Sequence, residues 1–304
     1  MKQIHDLRAA LPLFKCLSSE MRIAILELLY EKGTMRMTDI AKALDVTAGT
    51  LSPHIKMLAE SGLITLTFSA GKHGVQRDCS IGDGRILIDP EQQLRSTTVY
   101  ETEISIGQYI AYEVYPTCGL ATPDHLIGEV DDPRYFASPE RIHSGILWLG
   151  HGYVEYMIPN FLKPGQRLIE LQISLEIASE APGYCENWPS DILFSLNGTS
   201  LCTWTCPADF GRMKGIYTPG WWNRNWNQHG QFKLLSVNRT GTYMDGGKRS
   251  DVTLDQLHIT SEMPLTLRIA SPQDARNAGG LTLYGSTFGN YAQDIRIRMQ
   301  YEET

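Results

Sequence analysis

Two runs in the second half of the chain, CENWPSD (185–191) and YTPGWWNRNWNQHGQ (217–231), crowd four tryptophans among Pro, Gly and Asn. Segments of that composition are loops, and loops are usually solvated, so indoles clustered there point to a pocket or a lid. A flat indole face suits the C–H face of a sugar ring, while amide, carboxylate and imidazole groups fork to its hydroxyls. Trp188, Trp221, Trp222 and Trp226 are therefore candidate ligand-binding residues, with Asp191, Asn223, Asn227 and His229 as polar partners. Asn290, Gln293 and Asp294 in FGNYAQD join them. The plainer alternative is that these aromatics cap the ends of a β domain. Trp148 and Trp204 lie in strand-like runs, where core packing is expected.

A second constellation lies at Asp45 to Gly62, DVTAGTLSPHIKMLAESG, which has the pattern of a short helix built to enter the major groove of DNA. Thr47 fits an N-cap and Gly62 a C′ stop. Leu51, Ile55 and Leu58 form one apolar stripe, so Gly49, Pro53, Lys56 and Glu60 point the opposite way, with Thr50 and Ser52 flanking and His54 nearer the stripe. Small residues let a helix approach base edges, hydroxyls bond to them, and a lysine meets phosphate. Thr47, Ala48, Gly49, Thr50, Ser52, Pro53, His54 and Lys56 are the candidate DNA-reading residues. An ordinary amphipathic surface helix would carry the same stripe and caps. Pro53 removes one backbone donor, so the helix is expected to begin after Thr47 or to kink.

Other chemistry finds little support. Cys202-Thr-Trp-Thr-Cys206 offers two soft ligands without a second pair at matching spacing, and no metal or cofactor is expected. Neither a G-x-S-x-G nucleophile elbow nor a phosphate-binding loop is present. The six cysteines (Cys16, Cys79, Cys118, Cys185, Cys202 and Cys206) are scattered without a framework and are expected to be free thiols. The N-terminal stretch lacks the apolar run and cleavage site of a secretory signal, and no membrane-length apolar segment occurs, so a cytoplasmic, nucleoid-associated protein is expected.

The elements that must position the early constellation are helices. Leu7–Leu17 has helical spacing around Pro12, and a second helix runs from Ser19 to Lys32 with Met21, Ile25, Leu28 and Leu29 as its buried stripe. Gly33 stops it. A third, Thr38 to Leu44, is joined by the turn Asp45-Val46-Thr47 to the reading helix, an arrangement that presents the later helix to the major groove. LITLTFS, AGKHG and VQRDCSI then form a hairpin. Lys72 and His73 at its tip and Arg77 on its return strand are placed to touch phosphates or the minor groove.

Beyond about Ser96 the helical period gives way to candidate strands: ILWLGHGYVEYMI, RLIELQISLEIA, DILFSLNGTSLCTW, QFKLLSV, DVTLDQLHI, LTLRIAS, GLTLYG and IRIRMQY. Asn197-Gly198 is a strong hairpin signal. Many strands without interleaved helices predict an antiparallel, jelly-roll-like β-sandwich, so the chain is α+β and multidomain. The expected domains are 1–88 for DNA binding, 89–97 as linker and 98–304 for ligand binding. Charge divides along the same line. Of a net −7, 12 Lys+Arg face 11 Asp+Glu through Arg95, and 15 face 23 thereafter. An acidic second part does not wrap DNA.

Residues 13–81 resemble the winged helix-turn-helix of the ArsR/SmtB family of bacterial repressors. LFKCLSSEMRIAILELL is similar to that family's F-K-A-L-(S/G)-x-x-x-R-x-x-I-L-x-x-L opening, TLSPHIKMLAESGLI to its T-V-S-x-H-L-x-x-L-x-x-A-G-L-V helix, and ITLTFSAGKHGVQ occupies the wing. The resemblance implies a homodimer on a palindromic operator, released by an effector. Metal-sensing members carry C-x-C where this chain has Thr34-Met-Arg-Met-Thr-Asp39, and thioethers do not replace thiolates, so that site is expected to be absent. The family's last dimerisation helix is reduced to Asp89-Pro-Glu-Gln-Gln-Leu-Arg95.

Together these features describe a one-component transcriptional regulator, not an enzyme, with double-stranded operator DNA and a small effector, a sugar, as partners. Two alternatives are a carbohydrate-active enzyme with a fused DNA-binding head and a regulator whose β domain only dimerises.

Overall fold

The computed structural model describes residues 2–4, 7–71, 74–82, 86–88 and 98–303. The chain divides into two compact units, Met1–Ser96 and Thr97–Thr304. The interval 89–97, Lys72 and His73 lie outside the described residues.

In the first unit, strand β1 (Lys2–Ile4) precedes helices α1 (Leu7–Leu17) and α2 (Glu20–Lys32). A two-residue strand β2 (Met35–Arg36) leads into α3 (Met37–Ala43) and α4 (Ala48–Glu60). The hairpin β3 (Ile64–Gly71) and β4 (Gly74–Ile81) follows, then β5 (Ile86–Ile88). Ile25, Leu29, Ile40, Leu51, Ile55, Leu58, Ile64 and Cys79 close one core between the helices and the hairpin. On α2, Ile25 and Leu29 are buried as the spacing predicts, Met21 and Leu28 are only half-buried, and Arg22 and Leu26 are buried with them. Strand β2 adds a third strand to the hairpin by pairing with β4, Met35 opposite Cys79.

The second unit holds twelve strands in one connected antiparallel sheet folded into a sandwich. They are β6 (Thr98–Ile104), β7 (Tyr109–Ala121), β8 (Ile146–Ile158), β9 (Gln166–Ala178), β10 (Ser190–Leu196) and β11 (Thr199–Cys206), then β12 (Gln231–Asn238), β13 (Gly241–Met244), β14 (Gly247–Ser250), β15 (Leu265–Ser271), β16 (Leu281–Tyr284) and β17 (Ile295–Glu303). One layer runs β7, β8, β15, β10, β11 and the other β6, β17, β9, β12, β13, β14. Strand β16 joins them at one corner, pairing Leu283 with Leu147 of β8 and with Ile177 of β9. Leu171, Ile173, Leu175 and Ile177 of β9 enter the main core with Leu147, Leu149 and Val154 of β8. Asn197 and Gly198 both take positive φ in the β10–β11 turn, as that dipeptide allows.

One expectation requires correction, and two features of the chain need a physical reason. DVTLDQLHI is not a strand: Leu254–Leu257 forms the short helix α5, with Gln256 Oε1 accepting from the Thr253 N–H at 3.0 Å. Its buried residues, Leu254 and Leu257, are three apart, the helical spacing. Strand β7 went unpredicted because Pro116 stands inside it; the register with β8 shifts between Tyr115 and Cys118, the irregularity where a strand tolerates proline. Helix α4 begins at Ala48, directly after Thr47 as expected, and runs on through Pro53, since the carbonyl that proline leaves without a donor belongs to Gly49 on the exposed first turn.

Candidate functional site

The first candidate surface is α4. Thr47 caps it, its Oγ1 accepting from Thr50 N–H at 3.2 Å and lying 2.9 Å from Thr50 Oγ1. The other end closes as a Schellman motif: Leu63 N–H donates to Leu58 O and Gly62 N–H to Ala59 O, with Gly62 at φ +78. Leu51, Ile55 and Leu58 anchor the helix from behind. Thr47, Ala48, Gly49, Thr50, Pro53 and Lys56 stand exposed, and Ser52 and His54 are half-buried. Lys56 makes a 3.7 Å ion pair with Glu60 on the open face, a contact worth ~0.3–0.5 kcal/mol that a phosphate displaces readily.

Arg22, which the sequence reading left in the α2 background, fixes α4 from below. Its guanidinium donates to the Cys16 and Lys15 carbonyls at the end of α1 and lies 3.5 Å from His54 Nδ1 and from Met57 Sδ. His54 is thus turned toward Arg22. Arg77 on β4 is exposed opposite Phe68 of β3.

The second candidate is a cavity of about 230 Å³ in the second unit. Trp148 of β8 and Trp222 and Trp226 of the long β11–β12 loop wall it, with Glu180 at its base and Asp131 and Asn227 among its polar lining. The rings meet steeply: Trp148 and Trp222 at 76° with centroids 5.8 Å apart, Trp222 and Trp226 at 71° and 4.9 Å. Trp222 is buried, packs edge to face with Phe288 and belongs, with Ala121, Ile146, Trp148, Ala178 and Tyr284, to a hydrophobic cluster separate from the main core. Its Nε1 donates to Asn227 O at 2.7 Å. Asn227 in turn donates through Nδ2 to Glu180 Oε2 at 2.9 Å and to Thr282 Oγ1 at 3.0 Å.

Glu180 is almost wholly buried and also accepts from Thr282 Oγ1 at 2.8 Å and Thr117 Oγ1 at 3.2 Å. Burial, then the carboxyls of Asp209 and Asp131, holds its proton well above the usual carboxylate range, against the hydroxyl donors. Asp209 is fully buried, and burial pushes it up to about 8. Its Oδ2 accepts from Ala181 N–H, while Oδ1 has no hydrogen-bond partner among the described residues.

A third buried carboxyl organises the loops. Glu176, fully buried on β9, accepts from the N–H groups of Gly230 at 2.7 Å, Asn290 at 2.8 Å and Tyr291 at 2.9 Å. Burial raises it to about 7, the backbone donors opposing. Thr218, donating to Gln228 O at 2.6 Å and accepting from Gly289 N–H at 3.1 Å, ties the tryptophan loop to the same place.

Of the predicted ligand residues, Trp222, Trp226 and Asn227 meet in this cavity. The others are placed elsewhere. Trp188 and Trp221 are exposed, with Trp221 Nε1 donating to Pro123 O. Asp191 accepts from Thr205 Oγ1 at 2.7 Å and from Asn277 N–H and Nδ2; these bonds, Thr205 first, lower its pKa. Asn223 Oδ1 accepts from Asn225 N–H, closing a turn. His229 stacks on Phe210 at 5.4 Å and 14°, and burial lowers its pKa. Asn290 Oδ1 accepts from Ile216 N–H. Gln293 is buried against Ser174, and Asp294 accepts from Ser286 Oγ, its pKa raised by burial. Cys202 and Cys206 are buried in the main core, where burial pushes each thiol up to about 11.

Glu180, Asp131 and Trp148 were not singled out from sequence. Trp148 looked like a core residue because its strand is regular, and it is buried, yet one side of it borders the cavity.

Three helices, a turn-presented fourth and a three-stranded wing define the first unit as a winged helix-turn-helix. Residues 17–67 match the helix-turn-helix domain family. Among solved structures, the chain is similar to a transcriptional regulator homologue protein from Pyrococcus horikoshii OT3, with 25% identity, 24% of this chain and 76% of that one covered and a TM-score of 0.20. It is also similar to disulfide-formed AbfR, with 23% identity over 28% of this chain and 56% of that one and a TM-score of 0.21. Among the described residues no helix is long and apolar enough to cross a membrane.

Proposed function

We propose that this protein is a one-component transcriptional repressor of the ArsR/SmtB type, in which a homodimer of the first unit holds a palindromic operator and the second unit binds a small effector of carbohydrate size. The observation that carries the reading is α4. Its apolar stripe is sealed against the core while Thr47, Ala48, Gly49, Thr50, Pro53 and Lys56 stand in solvent on the opposite face. The helix-turn-helix match over 17–67 supports it. The cavity beside Trp148, Trp222 and Trp226 supports an effector role for the second unit. An effector shifts operator affinity only by its difference in affinity for the free and the DNA-bound protein, and the coupling is reciprocal.

Selection from a random duplex library tests this directly. The enriched site is expected to be a palindrome with half-sites about one helical turn apart, and Thr50→Ala is expected to relax its sequence preference. Failure to enrich any sequence overturns the reading. The second unit binds its ligand without turning it over, and hydrolysis of any member of a glycoside panel would contradict that.

A further inference from the structure

The cavity in the second unit is lined by acidic groups and no basic ones. Glu180 and Asp131 line it, Asp209 lies close enough to act on Glu180, and neither Lys, Arg nor His is among the lining residues. The charges that act most on Glu180 are both carboxyls, Asp209 and then Asp131, and they raise its pKa alongside burial. The three acceptor contacts on Glu180, from Thr117, Asn227 and Thr282, are those that hold a carboxylate in one orientation. The walls beside it include three indoles, Trp222 meeting both Trp148 and Trp226 edge to face. Indole faces attract cations through their negative quadrupole, most strongly when water is excluded.

We propose that the effector cavity takes a small organic cation, an alkylammonium group carried by an amine or an amino sugar, with the charge directed at Glu180 and the carbon surface against Trp148, Trp222 and Trp226. This rests on the reading of the second unit as the effector domain and names the chemical class of its ligand. A buried acid without a counter-ion keeps its proton; an ammonium ion supplies the counter-ion and removes the need for it. A neutral sugar would stack on the same indoles but leave the carboxyls uncompensated.

The test uses the full chain and tryptophan fluorescence, since three of the six tryptophans line the cavity. The probes are choline and its neutral isostere 3,3-dimethylbutan-1-ol, and glucosamine beside glucose. At least one cation is expected to quench or shift the emission saturably and to bind about tenfold or more tighter than its neutral counterpart. Which pair shows the difference separates a quaternary ammonium from an amino sugar. Glu180→Gln is expected to erase the preference for charge; should that variant not fold, Trp226→Leu, at a half-buried position, is expected to weaken the cation several-fold. Equal binding of charged and neutral partners, or no binding of either cation, overturns the inference. Operator affinity measured with the bound cation separates the two claims. If the cation binds and operator affinity does not move, the effector reading fails while the cation site stands; if neutral sugar alone binds and moves it, the reverse holds.

Discussion

On α4 the groups offered to a partner stand in water and the apolar residues stand behind them, whereas in the tryptophan cavity the polar groups are inside and the aromatic surface forms the walls. The first arrangement costs the fold little: Thr50 and Lys56 keep their hydration until a duplex arrives, and a cap and a stripe suffice to hold the helix. The second is expensive. Glu176, Glu180 and Asp209 are removed from solvent, and each is stabilised through hydrogen bonds that loops must supply. A surface that reads many similar sites gains from adaptable, solvated contacts, while a pocket that selects one ligand gains from groups fixed beforehand.

The largest expected effect tests this difference through pH. Glu176 is raised from 4.5 to about 7 and Asp209 from 3.8 to about 8 by burial. For an acid whose folded pKa is raised, the folded state holds the proton the unfolded state has lost. Its contribution is whole below the unfolded pKa and is lost as pH rises through the folded one. The second unit is therefore expected to lose stability between about pH 4 and pH 8, at up to about 1.4 kcal/mol per pH unit for each group. All six tryptophans lie at or beyond Trp148, so fluorescence follows the melting of this unit alone. Asp209→Asn is expected to flatten the slope; a slope that persists unchanged would remove Asp209 from the account.

A matched pair of truncations comes next. Glu176→Ala takes from the N–H groups of buried Gly230 and half-buried Asn290 and Tyr291 their shared acceptor and is expected to cost about 3–5 kcal/mol, read as a fall in the urea midpoint of tryptophan fluorescence. Leu51→Ala empties part of the first unit's core and is expected to cost about 2–5 kcal/mol, read by circular dichroism at 222 nm, since α1, α2, α3 and α4 carry most of the helix. Each variant should move its own signal and spare the other. Movement of both signals by either variant breaks the comparison, because the two units would then share one cooperative transition.

The same contrast explains what was legible in the sequence. Helix α4 announces itself through Thr47, the 51–55–58 stripe and Gly62, because a helix with one wet face must be periodic. Strand β8 was visible from its run of residues for a similar reason. The cavity was only half visible. Trp222, Trp226 and Asn227 stand out in a polar loop, but Glu180 lies two residues past the end of β9 and Asp131 in the β7–β8 connection, separated from the loop by long stretches of chain. On β9 the alternating positions Gln172, Ser174 and Glu176 have the pattern of a solvent face, yet all three are buried, Ser174 and Glu176 beneath later loops that bond to them through Gln293, Gly230, Asn290 and Tyr291. Alternation reports which residues leave the main core, not what covers them afterwards. Arg22 was missed for a related reason: a lone arginine between apolar residues gives no sign that it will tie the carbonyls of α1 to α4.

The smallest effect is the one that addresses α4 as a phosphate-contacting surface. Lys56 is held by an exposed ion pair with Glu60, so Lys56→Ala is expected to change stability by less than about 0.5 kcal/mol. On DNA the same side chain would release a counter-ion each time it neutralises a phosphate. Its loss should weaken binding by a similar factor on every sequence and make the slope of log affinity against log salt shallower by about 1. Thr50→Ala should behave differently, changing which base pairs are preferred while leaving the slope in place, because a hydroxyl carries no charge to exchange. Two variants six residues apart on one helix thus give separable readouts, of backbone contact and of base contact. If Lys56→Ala altered preference without altering the slope, the helix would be seated with its Lys56 face toward base edges, and the phosphate contacts would have to be sought on Arg77 and the rest of the wing.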